Sequence, residues 1–197
     1  MTAPEYDWDK LDAREHARAQ AERDQRDADH REAQRALIPT RFRNAKLTNA
    51  AARAWCDDPQ PDRPALYLSG PTGTGKTHIA WAVVRRIAET RSWQFWRSTA
   101  LLDQLRPDAE NVMARIHQAQ TTGLLVIDDI GAEKPSAWTQ ERFYELIDER
   151  YVWCRPLVIT SNRPPQELGS AVSERVASRL AEMSLVVPVL GTDRRKR

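Results

Sequence analysis

The sequence predicts an α/β fold, a parallel sheet with helices on both faces. Three observations predict it. Short apolar runs, ALYLS at 65–69, LLVI at 124–127 and PLVIT at 156–160, have strand length and no polar alternation, as strands buried on both faces do. Stretches with apolar residues at helical spacing separate them, and such alternation is the pattern of parallel strands joined by crossover helices. The first run leads directly into the glycine-rich segment GPTGTGKT at 70–77, which the next helix follows.

The chain has 197 residues, room for one α/β domain with an appendage but not for two full domains. Its formal net charge of +2 neither requires nor excludes nucleic acid. Mean hydropathy is −0.67, as expected of a well-solvated protein. The two cysteines, Cys56 and Cys154, lie far apart and form no CxxC or His/Cys cluster. They read as reduced thiols, with no structural zinc site. The N-terminal residues lack the apolar core of a signal peptide, and no run approaches the ~18 apolar residues of a membrane span. These features predict a cytoplasmic protein without a membrane partner.

Residues 1–36 form the first predicted unit, a charged helical extension. From Asp9 to Ala36 the only large apolar side chain is Leu11, so this helix has no stripe to bury and is expected to project. Pairs such as Glu22–Arg26 and Asp27–Arg31, acid first and four apart, support helix. Tyr6, Trp8 and Leu11 are its candidate docking anchors.

The second unit, 37–197, begins with an extended lead-in at Leu37-Ile38-Pro39. Thr48 is a candidate cap for a short helix through Ala54. A loop at 57–64 precedes the strand at 65–69. A helix follows from Lys76 to about Glu89, with Ile79, Val83, Val84 and Ile87 as its apolar face. A strand is expected at 93–96, then a helix capped by Ser98 or Thr99 and carrying Leu101, Leu102 and Leu105. Further expectations are a helix at 108–119, a strand at 123–129, a helix at 137–153, a strand at 156–160, a helix at 174–181 and a closing strand at 185–189.

The segment Gly70-Pro71-Thr72-Gly73-Thr74-Gly75-Lys76-Thr77 matches Gly-x-x-x-x-Gly-Lys-Thr in the strand–loop–helix setting that this pattern needs. Glycines let successive backbone N–H groups turn inward onto phosphate oxygens. The following helix offers its N-terminus to the same anion. Lys76 is placed to reach the β- and γ-phosphates of ATP, and the Thr77 hydroxyl to ligate Mg2+.

The strand at 123–129 delivers Asp128 and Asp129 to the sheet edge where ligands bind in open α/β folds. Asp128 is the expected magnesium-side carboxylate and Asp129 the expected base acting on the attacking water. PLVITSN brings Asn162 to a neighbouring strand tip, where its amide can hold that water or the γ-phosphate. In SERVASRL, Arg175 and Arg179 stand four apart on one helix face. An arginine there can act as a finger on a neighbouring subunit's γ-phosphate, which requires a head-to-tail homo-oligomer.

The succession GPTGTGKT, LLVIDDIG, FYELIDERY, PLVITSN, ERVASRL and GTDRR resembles AAA+ ATPases of the DnaC/DnaI type, replicative helicase loaders, with the IstB transposition ATPases as close cousins. The resemblance runs from about Ile38 to Arg195. It implies a P-loop AAA+ three-layer α/β/α core; most AAA+ proteins add a C-terminal helical lid, which this chain is expected to lack, an absence that the DnaC-like group tolerates. It makes Lys76 and Thr77 Walker A, Asp128 and Asp129 Walker B, Asn162 sensor 1, and Arg179 the finger with Arg175 beside it. Arg194 or Arg195 would match the terminal arginine. It further implies ATP hydrolysis, a replicative DNA helicase and single-stranded DNA as partners, and DNA contact near Arg97, Ser98 and Thr99. A transposition helper is the alternative. A small-molecule or nucleotide kinase shares the phosphate loop but would need a phosphate-clamping insertion, which the sequence does not display.

Overall fold

The computed structural model describes residues 18, 20–22, 25–26, 28–29, 32–58 and 60–191. Tyr6, Trp8, Leu11, the Asp27–Arg31 pair, Arg194 and Arg195 lie outside the described residues. Within 18–36 the described residues are helical. Arg26 donates to the Glu22 backbone carbonyl rather than to its carboxylate, which pairs with Arg18 instead. This corrects the expected Glu22–Arg26 ion pair.

The elements run α1 (Ala50–Asp57), β1 (Ala65–Ser69), α2 (Lys76–Ile87), β2 (Trp93–Arg97), α3 (Ser98–Gln104), α4 (Val112–Thr121), β3 (Leu124–Asp128), α5 (Ala137–Val152), β4 (Leu157–Ser161), α6 (Gly169–Val172), α7 (Glu174–Met183) and β5 (Ser184–Pro188). The five strands form one sheet in the order β2-β3-β4-β1-β5, and every pairing is parallel. β1, β3 and β4 are buried along their whole length, which is why they read as unbroken apolar runs.

Side chains alternate between the two faces and feed two cores. Leu66, Leu68, Val126 and Val158 pack with α1 and α2. Tyr67, Ile127 and Ile159 pack with α3 through α7. The result is three layers, α/β/α. The lead-in segment is part of the first core: Ile38 is buried, and Phe42 stacks on Trp81, which stacks in turn on Phe95 at 3.9 Å between ring centroids. Among the described residues no helical lid follows β5.

Several helix starts differ from expectation. Asn49, not Thr48, caps α1 by accepting from Ala52 N at 2.9 Å. Neither Ser98 nor Thr99 caps α3; the residue before the helix is Arg97, which supplies no side-chain cap. α4 begins only at Val112, after Asn111 in the left-handed conformation (φ 57°). α6 and the 3-10 turns at Thr40–Phe42 and Pro165–Glu167 have no counterpart among the expected elements.

Candidate active site

β1 ends at Ser69, and the loop at 70–77 turns from it into α2. Gly70, Gly73 and Gly75 all have positive φ, at 149°, 86° and 103°. Gly70 is also held close: a Cβ added there would lie 2.3 Å from the Val189 carbonyl oxygen. Gly75 occupies the N-cap position of α2 and no side chain caps that helix, so its first N–H groups are left to a ligand. Pro71 and Thr72 are exposed at the crest, and Thr74 Oγ1 pins the loop by donating to the Pro71 carbonyl at 2.9 Å.

Lys76 is largely buried. Its Nζ donates to Gly70 O at 2.7 Å, Pro71 O at 2.9 Å and Asn162 Oδ1 at 2.9 Å. A lysine placed on oxygens of its own loop can exchange them for stronger acceptors when a polyanion enters. Asn162 lies just past β4, which pairs with β1, and this adjacency brings the amide over the loop. Its Nδ2 donates to Asp129 Oδ1 at 3.4 Å, and Thr72 Oγ1 donates to its Oδ1 at 3.4 Å.

Asp128 is the last residue of β3 and is 5 % exposed. It accepts from Thr77 Oγ1 at 3.0 Å and from Thr160 Oγ1 at 2.6 Å. Burial holds its carboxyl above the usual carboxylate range, and these two hydroxyls act in the opposite direction. Asp129 differs: it is exposed, it sits outside the strand, and it adopts the left-handed conformation with a φ of 63°. That ends β3 one residue before the expected boundary. A buried carboxylate beside a threonine hydroxyl at a phosphate loop is a set of hard oxygen donors, and it fits Mg2+ held with nucleotide phosphates.

Three further residues shape the site in roles that no motif announces. The Thr160 hydroxyl donates to Asp128 and accepts from the Asp129 amide at 2.9 Å. Ser98 Oγ lies 3.0 Å from the Asp129 carbonyl oxygen and 2.8 Å from Glu133 Oε2, and its one proton serves these two acceptors. Glu133 also accepts from Gly131 N at 3.0 Å. The signal for Thr160 was present in strand geometry. Ile127 pairs with Ile159, so the next residues along, Asp128 and Thr160, stand beside each other. Ser98 gave no such signal, because its partners come from the loop after β3. At 1 % exposure and bonded on both sides, Ser98 is not a surface residue, which removes it from the expected DNA-contacting trio; Arg97 and Thr99 remain exposed.

Arg175 and Arg179 are not brought to the loop. Both lie on α7, in the helical layer across the sheet from α2. Arg179 is half-buried, pairs with Asp148, donates to Tyr144 Oη at 3.3 Å and lies 4.9 Å from the centroid of the Tyr151 ring. Arg175 is exposed, with its guanidinium 5.9 Å from the Tyr144 ring centroid.

Comparison with known proteins places this site in context. The family model described as "IstB-like ATP binding protein" matches residues 13–197. An ATP-binding protein in an insertion sequence of Mycobacterium tuberculosis is 29 % identical over 161 residues, covering 78 % of this chain and 62 % of that protein. The chromosomal replication initiator DnaA of Gloeobacter violaceus is 32 % identical over 157 residues, covering 76 % of this chain and 35 % of DnaA. The chain thus spans less than two thirds of either relative. The crystal structure of the DnaC helicase loader superposes with a TM-score of 0.68 at 25 % identity, covering 77 % of this chain and 100 % of that one.

Proposed function

The chain belongs to the IstB-like ATP-binding family and has the P-loop AAA+ fold of the DnaC/DnaI-type proteins, and from that premise we propose that it hydrolyses ATP to drive the loading of a replicative helicase onto single-stranded DNA. The observation that carries this reading is the convergence at one sheet edge. Thr77 meets Asp128, and Asn162 joins Lys76 to Asp129.

In this reading the loop N–H groups and Lys76 hold the ATP phosphates, while Thr77 and Asp128 hold Mg2+. The metal, when bound, neutralises charge on the phosphoryl group. Asp129 is exposed where water enters, and it takes the proton of the attacking water. Asn162 links that carboxylate to Lys76 and orients the water against the γ-phosphate. Arg179, or the more exposed Arg175, completes the site from the next subunit of a head-to-tail oligomer. The N-terminal extension docks the helicase. The likeness to the DnaC loader, which spans the whole of that chain, supports the helicase as partner.

A second reading, an ATP-dependent helper of transposition, has its own support: the family model is IstB-like and one relative belongs to an insertion sequence. Pull-down with purified replicative helicase or with transposase separates the two. Retention of the helicase in an ATP-dependent manner supports loading, and retention of the transposase alone overturns it.

A further inference from the structure

The geometry points to a second anion site, a cleft walled by Arg35, Arg43 and Arg85 that grips the phosphodiester backbone of nucleic acid. The cleft encloses about 270 Å³ and is floored by Ile38. It is not the nucleotide site. Arg85 follows Lys76 on α2 by nine residues, about 14 Å along the helix axis at 1.5 Å per residue. The cleft therefore sits toward the C-terminal end of the helix whose N-terminus faces the phosphate loop.

Each guanidinium is anchored by one nitrogen and keeps the rest of its five-donor fork. Arg43 Nε donates to Ile38 O at 3.3 Å, Arg85 donates to Ala45 O, and Arg35 pairs with Glu89. These bonds fix the arginines to the lead-in segment and to the residues just after α2. Among the described residues Glu89 is the one acid paired to the three, and Asp57 nearby is taken by Arg86. Three guanidiniums against one carboxylate leave an excess of positive charge in a concave space, the arrangement that collects anions.

Two of the three arginines belong to a segment that is basic in sequence. From Ala33 to Cys56 the chain carries Arg35, Arg41, Arg43, Lys46 and Arg53 and no Asp or Glu, in a protein whose net charge is only +2. Arg41, Arg43, Lys46 and Arg53 are all exposed. A free phosphate would engage the cleft alone, whereas a linear polyanion held there can also reach further exposed cations of this segment. The contact is with backbone phosphates, so it supplies affinity and register without sequence preference. The inference rests on the reading that this protein acts on DNA, and it adds a surface outside the ATP site.

The test uses the full chain. Anisotropy of labelled single-stranded and duplex oligonucleotides is followed over a range of KCl, without ATP, for the wild type, an R35Q/R43Q variant and an R35K/R43K variant. Both positions are exposed and lie outside the ATP site, so MgATP turnover serves as the folding control. With two phosphate-neutralising charges removed, the slope of log K against log salt falls by about 1.8 on duplex and about 1.4 on single strands. Affinity falls equally for unrelated sequences, and the lysine pair keeps the wild-type slope. A glutamine pair with unchanged slope overturns this surface alone. A wild type that turns over ATP but binds neither oligonucleotide overturns the surface and also the DNA-directed part of the proposed function. Calorimetric binding of pyrophosphate to the wild type, lost in the glutamine pair while oligonucleotide binding is untouched, makes the cleft a small-anion site and overturns the backbone assignment.

Discussion

At the residue scale, Asp128 and Asp129 are chain neighbours in opposite environments. Asp128 is buried at the strand end between two threonine hydroxyls, and Asp129 is exposed and left-handed. Burial raises the Asp128 pKa, so the folded protein binds a proton there more readily than the unfolded chain does. Stability of the nucleotide-free protein therefore falls as pH rises from the ordinary carboxylate range through that raised value. Asp128→Asn should flatten this slope in pH-dependent thermal unfolding and abolish stabilisation by MgATP; an unchanged slope would count against the buried ionisation. Thr160→Val removes a donor from Asp128 and an acceptor from the Asp129 amide. It should cost about 1–3 kcal/mol in denaturant unfolding and depress turnover, while Thr160→Ser restores both. The acidic pair was legible in the sequence because an apolar strand ended in it. Thr160 was not, since its role comes from the register of β3 against β4 rather than from any motif.

Elements fix how far the site can yield. Gly70 is pressed against the end of β5, where Val189 N donates to Ser69 O at 2.6 Å. Gly70→Ala combines a steric clash with a strained φ. It should cost about 2 kcal/mol or more, seen as a lowered unfolding midpoint together with weakened ATP affinity; a wild-type midpoint would show that the loop adapts freely. On the other side of the sheet Arg150 of α5 is fully buried and donates to the carbonyls of Ala119, Gln120, Thr122 and Pro156. It ties the end of α4 to the start of β4. Arg150→Ala strands those carbonyls and should cost about 3 kcal/mol or more, measured by urea denaturation. In the sequence Arg150 is one charge among several in FYELIDERY, and helical spacing alone does not show which polar side chain turns inward. The strands were the most legible elements, since full burial leaves an unbroken apolar run. Caps were the least: Asn49 against Thr48, and Ser98 drawn off by Glu133, are decided by where the loops pass.

For the whole molecule, the two cores on either side of the sheet assign different tasks to the two helical layers. The α2 layer carries the phosphate loop and the basic cleft. The α5–α7 layer carries Arg175 and Arg179, with Arg179 bound to Asp148, Tyr144 and Tyr151 within its own subunit. If Arg179 completes a neighbour's site, as proposed, it has to leave these partners to reach that neighbour. ATP turnover per subunit should therefore rise with protein concentration, and Arg175→Ala with Arg179→Ala should remove the rise while leaving ATP affinity close to that of the wild type; a rate independent of concentration in the wild type would rule out a shared site. The proposed function requires the ends of β1, β3 and β4 to form one hydrolytic site. Its most direct test is steady-state MgATP hydrolysis and ATP binding by Asp129→Asn beside the wild type. The expected result is wild-type ATP affinity with turnover reduced on the order of 100-fold or more; hydrolysis at the wild-type rate would show that Asp129 is not the base and the site is not the one proposed.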